Sequence, residues 1–165
     1  MDIKIVLVIT VAFLTSCASS PQSRQELKEA VKSHSSMTGD YTTTRNFDDV
    51  VATLKQKWQE CYALEVTTTR TQNNMTTSRY RDTFRPEARL VNNALFELTL
   101  RMTTQGMVML SKVPDGGEYI TAIDVVRLPN KKTKVSWYSR NWNWKNDWEA
   151  HKRWIEGKNA GCPTD

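Results

Sequence analysis

The sequence predicts an α+β domain. An antiparallel meander sheet of five or six strands carries an N-terminal and a C-terminal helix on one face, as a two-layer sandwich. Three observations predict it. Residues 46–61 place apolar side chains at helical spacing, residues 63–139 alternate with period two between turn-forming clusters, and a second helical stretch runs from about Trp144 to Glu156. The links between the alternating segments are short, whereas parallel pairing needs long crossovers. At 165 residues with six glycines and five prolines, the chain suits one core and is too short for two full-sized domains.

The first helix starts at Asn46, a residue type that caps well, and Asp48 and Asp49 complement the dipole of its first turn. Phe47, Val50, Val51, Leu54 and Trp58 recur at three- and four-residue spacing, and Cys61 continues that face. From Ala63 the period changes. Leu64, Val66 and Thr68 alternate with Glu65, Thr67 and Thr69, and Gln72-Asn73-Asn74 supplies a turn. Tyr80 and Phe84 then share one face, with Arg79, Arg81 and Arg85 on the other, up to Pro86. Phe96, Leu98, Leu100 and Met102 give the clearest alternation, ended by Thr104-Gln105-Gly106. A segment from Met107 to Val113 leads into the turn Pro114-Asp115-Gly116-Gly117, a strand follows from Tyr119 to Leu128, and Pro129-Asn130-Lys131-Lys132 turns the chain into a last strand from Thr133 to Ser139.

The terminal helix puts Trp144, Trp148 and Ile155 on one face and stops at Gly157. This order of elements resembles the helix-grip arrangement at the level of fold, which implies no function.

The N-terminal segment is an address. Lys4 is followed by an apolar run of about ten residues, Ile5 to Leu14, which as a helix covers only ~15 Å of a ~30 Å hydrocarbon core. Residues 1–16 therefore read as an export signal rather than a membrane span, although Asp2 makes the charged start less positive than usual. Leu14-Thr15-Ser16-Cys17 resembles the lipobox of bacterial lipoproteins. The resemblance implies cleavage before Cys17, a diacylglyceryl group on its sulfur and an acylated new amino terminus, hence a lipid bilayer as partner. Two or three acyl chains at ~0.8 kcal/mol per buried methylene anchor durably. Ala18 is not the aspartate that retains many such proteins at the inner membrane, so the analogy favours the periplasmic face of the outer membrane. In residues 17–45, rich in Ser, Thr and Gln, Ser20-Pro21 could start a short helix through Val31, but Leu27 and Val31 alone make a thin stripe. The stretch reads as a flexible tether, and 46–165 as the folded domain.

With Cys17 lipidated, Cys61 and Cys162 remain in an oxidising compartment, and a disulfide between them is expected. Two thiols are too few for structural zinc, and neither a metal nor another cofactor is expected. An odd number of strands between the helices points them the same way and brings the two cysteine-bearing ends together.

Catalytic signals are weak. His34 lies in the tether stretch and His151, between Glu149 and Arg153, reads as solvated. No nucleophile elbow, zinc-binding helix motif or phosphate-binding glycine loop occurs. Arginine is more suggestive. Arg79, Arg81 and Arg85 project from one strand face, with Arg70 opposite in the hairpin and Arg89 just beyond, and guanidinium forks suit phosphate or carboxylate. A formal charge of +5 permits anionic surfaces, while export argues against nucleic acid. Five of the six tryptophans fall between Trp137 and Trp154; Trp142 and Trp154 are the candidates for aromatic contact with a partner. The expectation is a non-enzymatic envelope lipoprotein, a binding or assembly module with an envelope protein as partner. The alternatives are an inhibitor or immunity protein for an envelope enzyme, and a carrier of a small molecule or lipid.

Overall fold

The computed structural model describes residues 20–32, 37–72, 75–106, 116–140 and 144–163. In chain order these form α1 (Arg24–Lys32), β1 (Thr38–Thr43), α2 (Phe47–Tyr62), β2 (Glu65–Gln72), β3 (Met75–Asn92), β4 (Leu95–Gln105), β5 (Glu118–Arg127), β6 (Thr133–Ser139) and α3 (Trp144–Ile155). The strands make one antiparallel six-stranded sheet in the order β1-β6-β5-β4-β3-β2. The fold is α+β.

The helix read from Asn46 forms as its pattern dictates. Asn46 Oδ1 accepts the Asp49 N–H at 2.9 Å, and Phe47, Val50, Leu54, Trp58 and Cys61 are buried. Asn46→Ala removes that cap and is expected to cost about 1 kcal/mol in urea unfolding, against a few tenths for Asn46→Gly.

The sheet is a meander from β2 to β6, five strands between α2 and α3, with a sixth supplied by residues read as tether. β1 pairs with β6 along Thr38–Thr43, and the chain crosses from β1 directly into α2. Gly39 is needed there because a Cβ would sit 2.7 Å from the Trp148 indole nitrogen. α1 also folds onto the sheet, burying Leu27 and Val31 against Ala122. The tether reading of 17–45 is therefore corrected for its described residues. Two apolar side chains suffice because the rest of the helix face is held by charge: Arg24 and Lys28 both bind Asp124, Arg24 at 2.8 Å.

The two faces separate cleanly by alternation. Ile123, Val125, Val135 and Trp137 face α2 and α3, whereas Ala122 and Tyr138 face α1. α2 and α3 share one side of the sheet, and α1, in the stretch read as tether, takes the other, adding a third layer over β5 and β6 to the two expected.

Pro86 does not end its strand. β3 runs on to Asn92, with Pro86 opposite Leu100. The Phe84 N–H donates to Leu64 O, so the nitrogen of Pro86, two residues on, points to the same side, where β2 has already ended at Glu65. A missing donor costs nothing there. The segment from Met107 to Val113 lies outside the described residues.

Cys61 and Cys162 form a disulfide, with Cα atoms 5.3 Å apart. The route to it differs from the parity expectation. Arg45, just before α2, donates to the carbonyls of Trp154 and Ile155 at the end of α3, while His151 stacks on Tyr62 at the end of α2. α3 thus runs back along α2, and the tail from Gly157 returns to Cys61. Trp154 Nε1 donates to Ala160 O at 3.0 Å and holds the returning tail.

Candidate functional site

A strongly charged described surface is the α1 side of β2, β3 and β4, which α1 leaves uncovered. Alternation puts Arg79, Arg81, Arg85, Glu87 and Arg89 of β3 on this face, beside Arg101, Thr99 and Glu97 of β4. Register decides which arginines are occupied. Arg81 meets Glu65 at 3.2 Å, Arg89 meets Glu97 at 2.7 Å, and Arg101 pairs with Glu87. Arg85 sits directly across from Arg101. Arg79 and Arg85 are exposed and form no ion pair with a described residue.

Between the start of α1 and this strip lies an open groove of about 580 Å³, lined by Arg24, Glu87, Arg89, Glu97, Thr99 and Tyr119. Arg24 spans it, touching Asp124 at 2.8 Å and Glu97 at 3.7 Å. Every carboxylate here already has a guanidinium, so the groove offers planar donors rather than a free acid. Such a surface recognises anions through paired N–H groups. Among the described residues, the arrangement contains no nucleophile beside a base.

The second concentration of chemistry is buried. His151 is fully enclosed, its ring 4.4 Å from Trp137, 4.5 Å from Trp154 and 5.3 Å from Trp58 between centroids. Its Nδ1–H donates to the Asp147 carbonyl, and Nε2 has no hydrogen-bond partner among the described residues. Burial pushes its pKa down to about 3. Tyr62, stacked on this ring, is pushed well above the usual phenol range by burial, then by the Asp147 carboxylate beside it. The solvated reading of His151 is corrected. Its spacing from Trp148, Trp154 and Ile155, three and four residues along the helix, was the signal that outweighs its charged neighbours.

The remaining predicted residues separate as follows. Trp154 is fully buried rather than available for contact, because it faces α2 and the tail. Arg70 pairs in register with Ser78, beside the irregularity before Thr71. Cys17, His34 and Trp142 lie outside the described residues. Among the described residues, no helix is long and apolar enough to cross a membrane, and no group of three His, Cys, Asp or Glu is placed to hold a metal ion.

No protein-family profile and no curated protein matches the sequence. Among solved structures, a hypothetical protein from Helicobacter pylori aligns over 73% of this chain and 83% of its own, with 15% identity and a TM-score of 0.37. A likeness at that level carries no argument about activity.

Proposed function

We propose that this chain is a membrane-anchored, non-enzymatic envelope lipoprotein, acting as a binding or assembly module on the periplasmic face of the outer membrane. The observation that carries the reading is Leu14-Thr15-Ser16-Cys17 placed directly after a short apolar run. Two structural facts support the binding role. Arg79 and Arg85 are exposed on one strand face without described carboxylate partners, and the groove beside Arg85 carries the guanidinium groups of Arg24 and Arg89. The fold reading that goes with it is helix-grip-like, supported by α2 and α3 lying together over one side of the sheet, with α1 as an addition on the other.

Growth with an alkyne-bearing palmitate analogue tests the anchor. Wild type is expected to take up label and fractionate with membranes, and Cys17→Ala to do neither. Equal absence of label in both, with both soluble, would sink the reading.

A carrier of small apolar molecules is the second reading, favoured by a cleft of about 200 Å³ walled by Leu64, Val66, Phe84, Leu100 and Ile120 beside Tyr62 and Asp147. It ranks second because ligand sites usually enclose ~300–1,000 Å³. Native mass spectrometry of the purified chain showing a retained small molecule would reverse that order.

A further inference from the structure

We propose that the arginine face of β2–β4 docks on the anionic phospholipid headgroups of the membrane that holds Cys17, so that the domain lies on the bilayer instead of swinging from it. This rests on the lipoprotein reading above and names the partner of the same face. The first ground is the length of the leash. Pro21 is buried, and its carbonyl accepts the Tyr119 N–H at 3.3 Å. Only three residues lie between Cys17 and Pro21, and the four Cα-to-Cα steps reach about 14 Å at full extension. A chain docked so close to its anchor has little room to pivot.

The second ground is where that leash attaches. Tyr119 pairs with Arg101, and Arg101 pairs with Arg85, on three neighbouring strands. Strand spacing puts Arg85 about 10 Å from Tyr119. Tyr119 packs on the α1 side, and Arg101 lies over its ring at 5.8 Å, so the leash and the arginine strip share one face. The third ground is charge. Over β2–β4 this face presents Arg79, Arg81, Arg85, Arg89 and Arg101 against Glu65, Glu87 and Glu97. The excess is positive, and Arg79 and Arg85 carry it. Guanidinium groups fork onto phosphodiester oxygens, and acyl chains at Cys17 would hold those phosphates within reach.

The test uses the full lipidated protein, reconstituted with the domain outside vesicles of phosphatidylcholine alone or mixed with phosphatidylglycerol. A fluorophore goes on Thr83→Cys, between Arg81 and Arg85, or on Lys55→Cys, exposed on α2 across the sheet. Cys61 and Cys162 are bonded to each other and stay unlabelled. Headgroup nitroxides should quench the Thr83 label in mixed vesicles and leave the Lys55 label bright. High salt should relieve the quenching. Arg79→Gln and Arg85→Gln should each cut the docked-to-free ratio about fivefold. Equal quenching at both positions, or none at Thr83, overturns the docking. So does a Thr83 label that polyglutamate shields and mixed vesicles do not, which would assign the face to an acidic protein. Flotation separates the two readings: a chain that fails to float with phosphatidylcholine vesicles loses its anchor and both readings fall. A chain that floats but stays unquenched loses only the docking.

Discussion

Replacing Cys61 or Cys162 by serine is expected to cost about 2–5 kcal/mol, the range of native bridges in small exported domains. The bridge closes a loop of 101 residues in sequence separation, which contains the whole meander and α3. Opening it lengthens the accessible unfolded chain and frees the tail beyond Gly157. That tail reaches the core through Ala160, whose carbonyl receives the Trp154 indole N–H. Cys61 is buried at the end of α2, so the serine hydroxyl in Cys61→Ser adds a small desolvation cost that Cys162→Ser lacks. The two single variants should therefore be similar, with Cys61→Ser slightly the weaker, and the double variant no worse than Cys61→Ser. Urea midpoints with and without reductant give the measurement. A wild-type midpoint that reductant does not move, with full loss of the bridge verified by thiol titration, would show that the bridge does not hold the fold.

How far the sequence revealed the fold depends on what each element packs against. α2 was legible because it buries a whole stripe, and a stripe leaves a period. β4 and β5 were legible because Leu98, Leu100, Ile123 and Val125 face a thick layer of helices and alternate with polar residues. α1 and β1 were not. α1 rests on Ala122 through two apolar side chains, and its other attachments run mostly through Arg24 and Lys28, to Asp124, Glu97 and the β4 and β5 backbone, side chains that in sequence look like solvated charge. β1, Thr-Gly-Asp-Tyr-Thr-Thr, is an edge strand held by backbone pairing to β6, and its glycine serves the approach of Trp148. The arginine face was half legible. Alternation placed Arg79, Arg81 and Arg85 together, but only the strand register assigns Arg81 to Glu65 and leaves Arg79 and Arg85 without described carboxylate partners.

Acidification should destabilise the protein through His151 alone by about 3 kcal/mol between pH 7 and pH 4. The folded ring is enclosed by Trp58, Tyr62, Trp137 and Trp154, and burial holds its pKa at about 3. An unfolded histidine titrates near 6.5. Between those values the unfolded chain binds a proton that the folded chain does not, so stability rises with pH across that window. The contribution is complete above pH 6.5, and it declines as pH falls toward 3. The cause is geometric: Nδ1 is committed to the Asp147 carbonyl, and a proton on Nε2 would meet no described acceptor inside an aromatic wall. Carboxylates such as Asp40, where burial alone would raise the pKa but the Ser136 hydrogen bond and the Lys134 hydrogen bond and charge together outweigh it and lower it, add their own acid sensitivity. They are common to wild type and variant, so they cancel in the comparison. Urea unfolding of wild type and His151→Phe at pH 7 and pH 4 isolates the histidine. The variant should lose about 3 kcal/mol less than wild type on acidification, whatever its stability at pH 7. His151→Leu, which fills the site without an aromatic ring, should show the same flattened dependence. Equal losses in wild type and both variants would mean that the folded state accepts the proton on His151 as readily as water does.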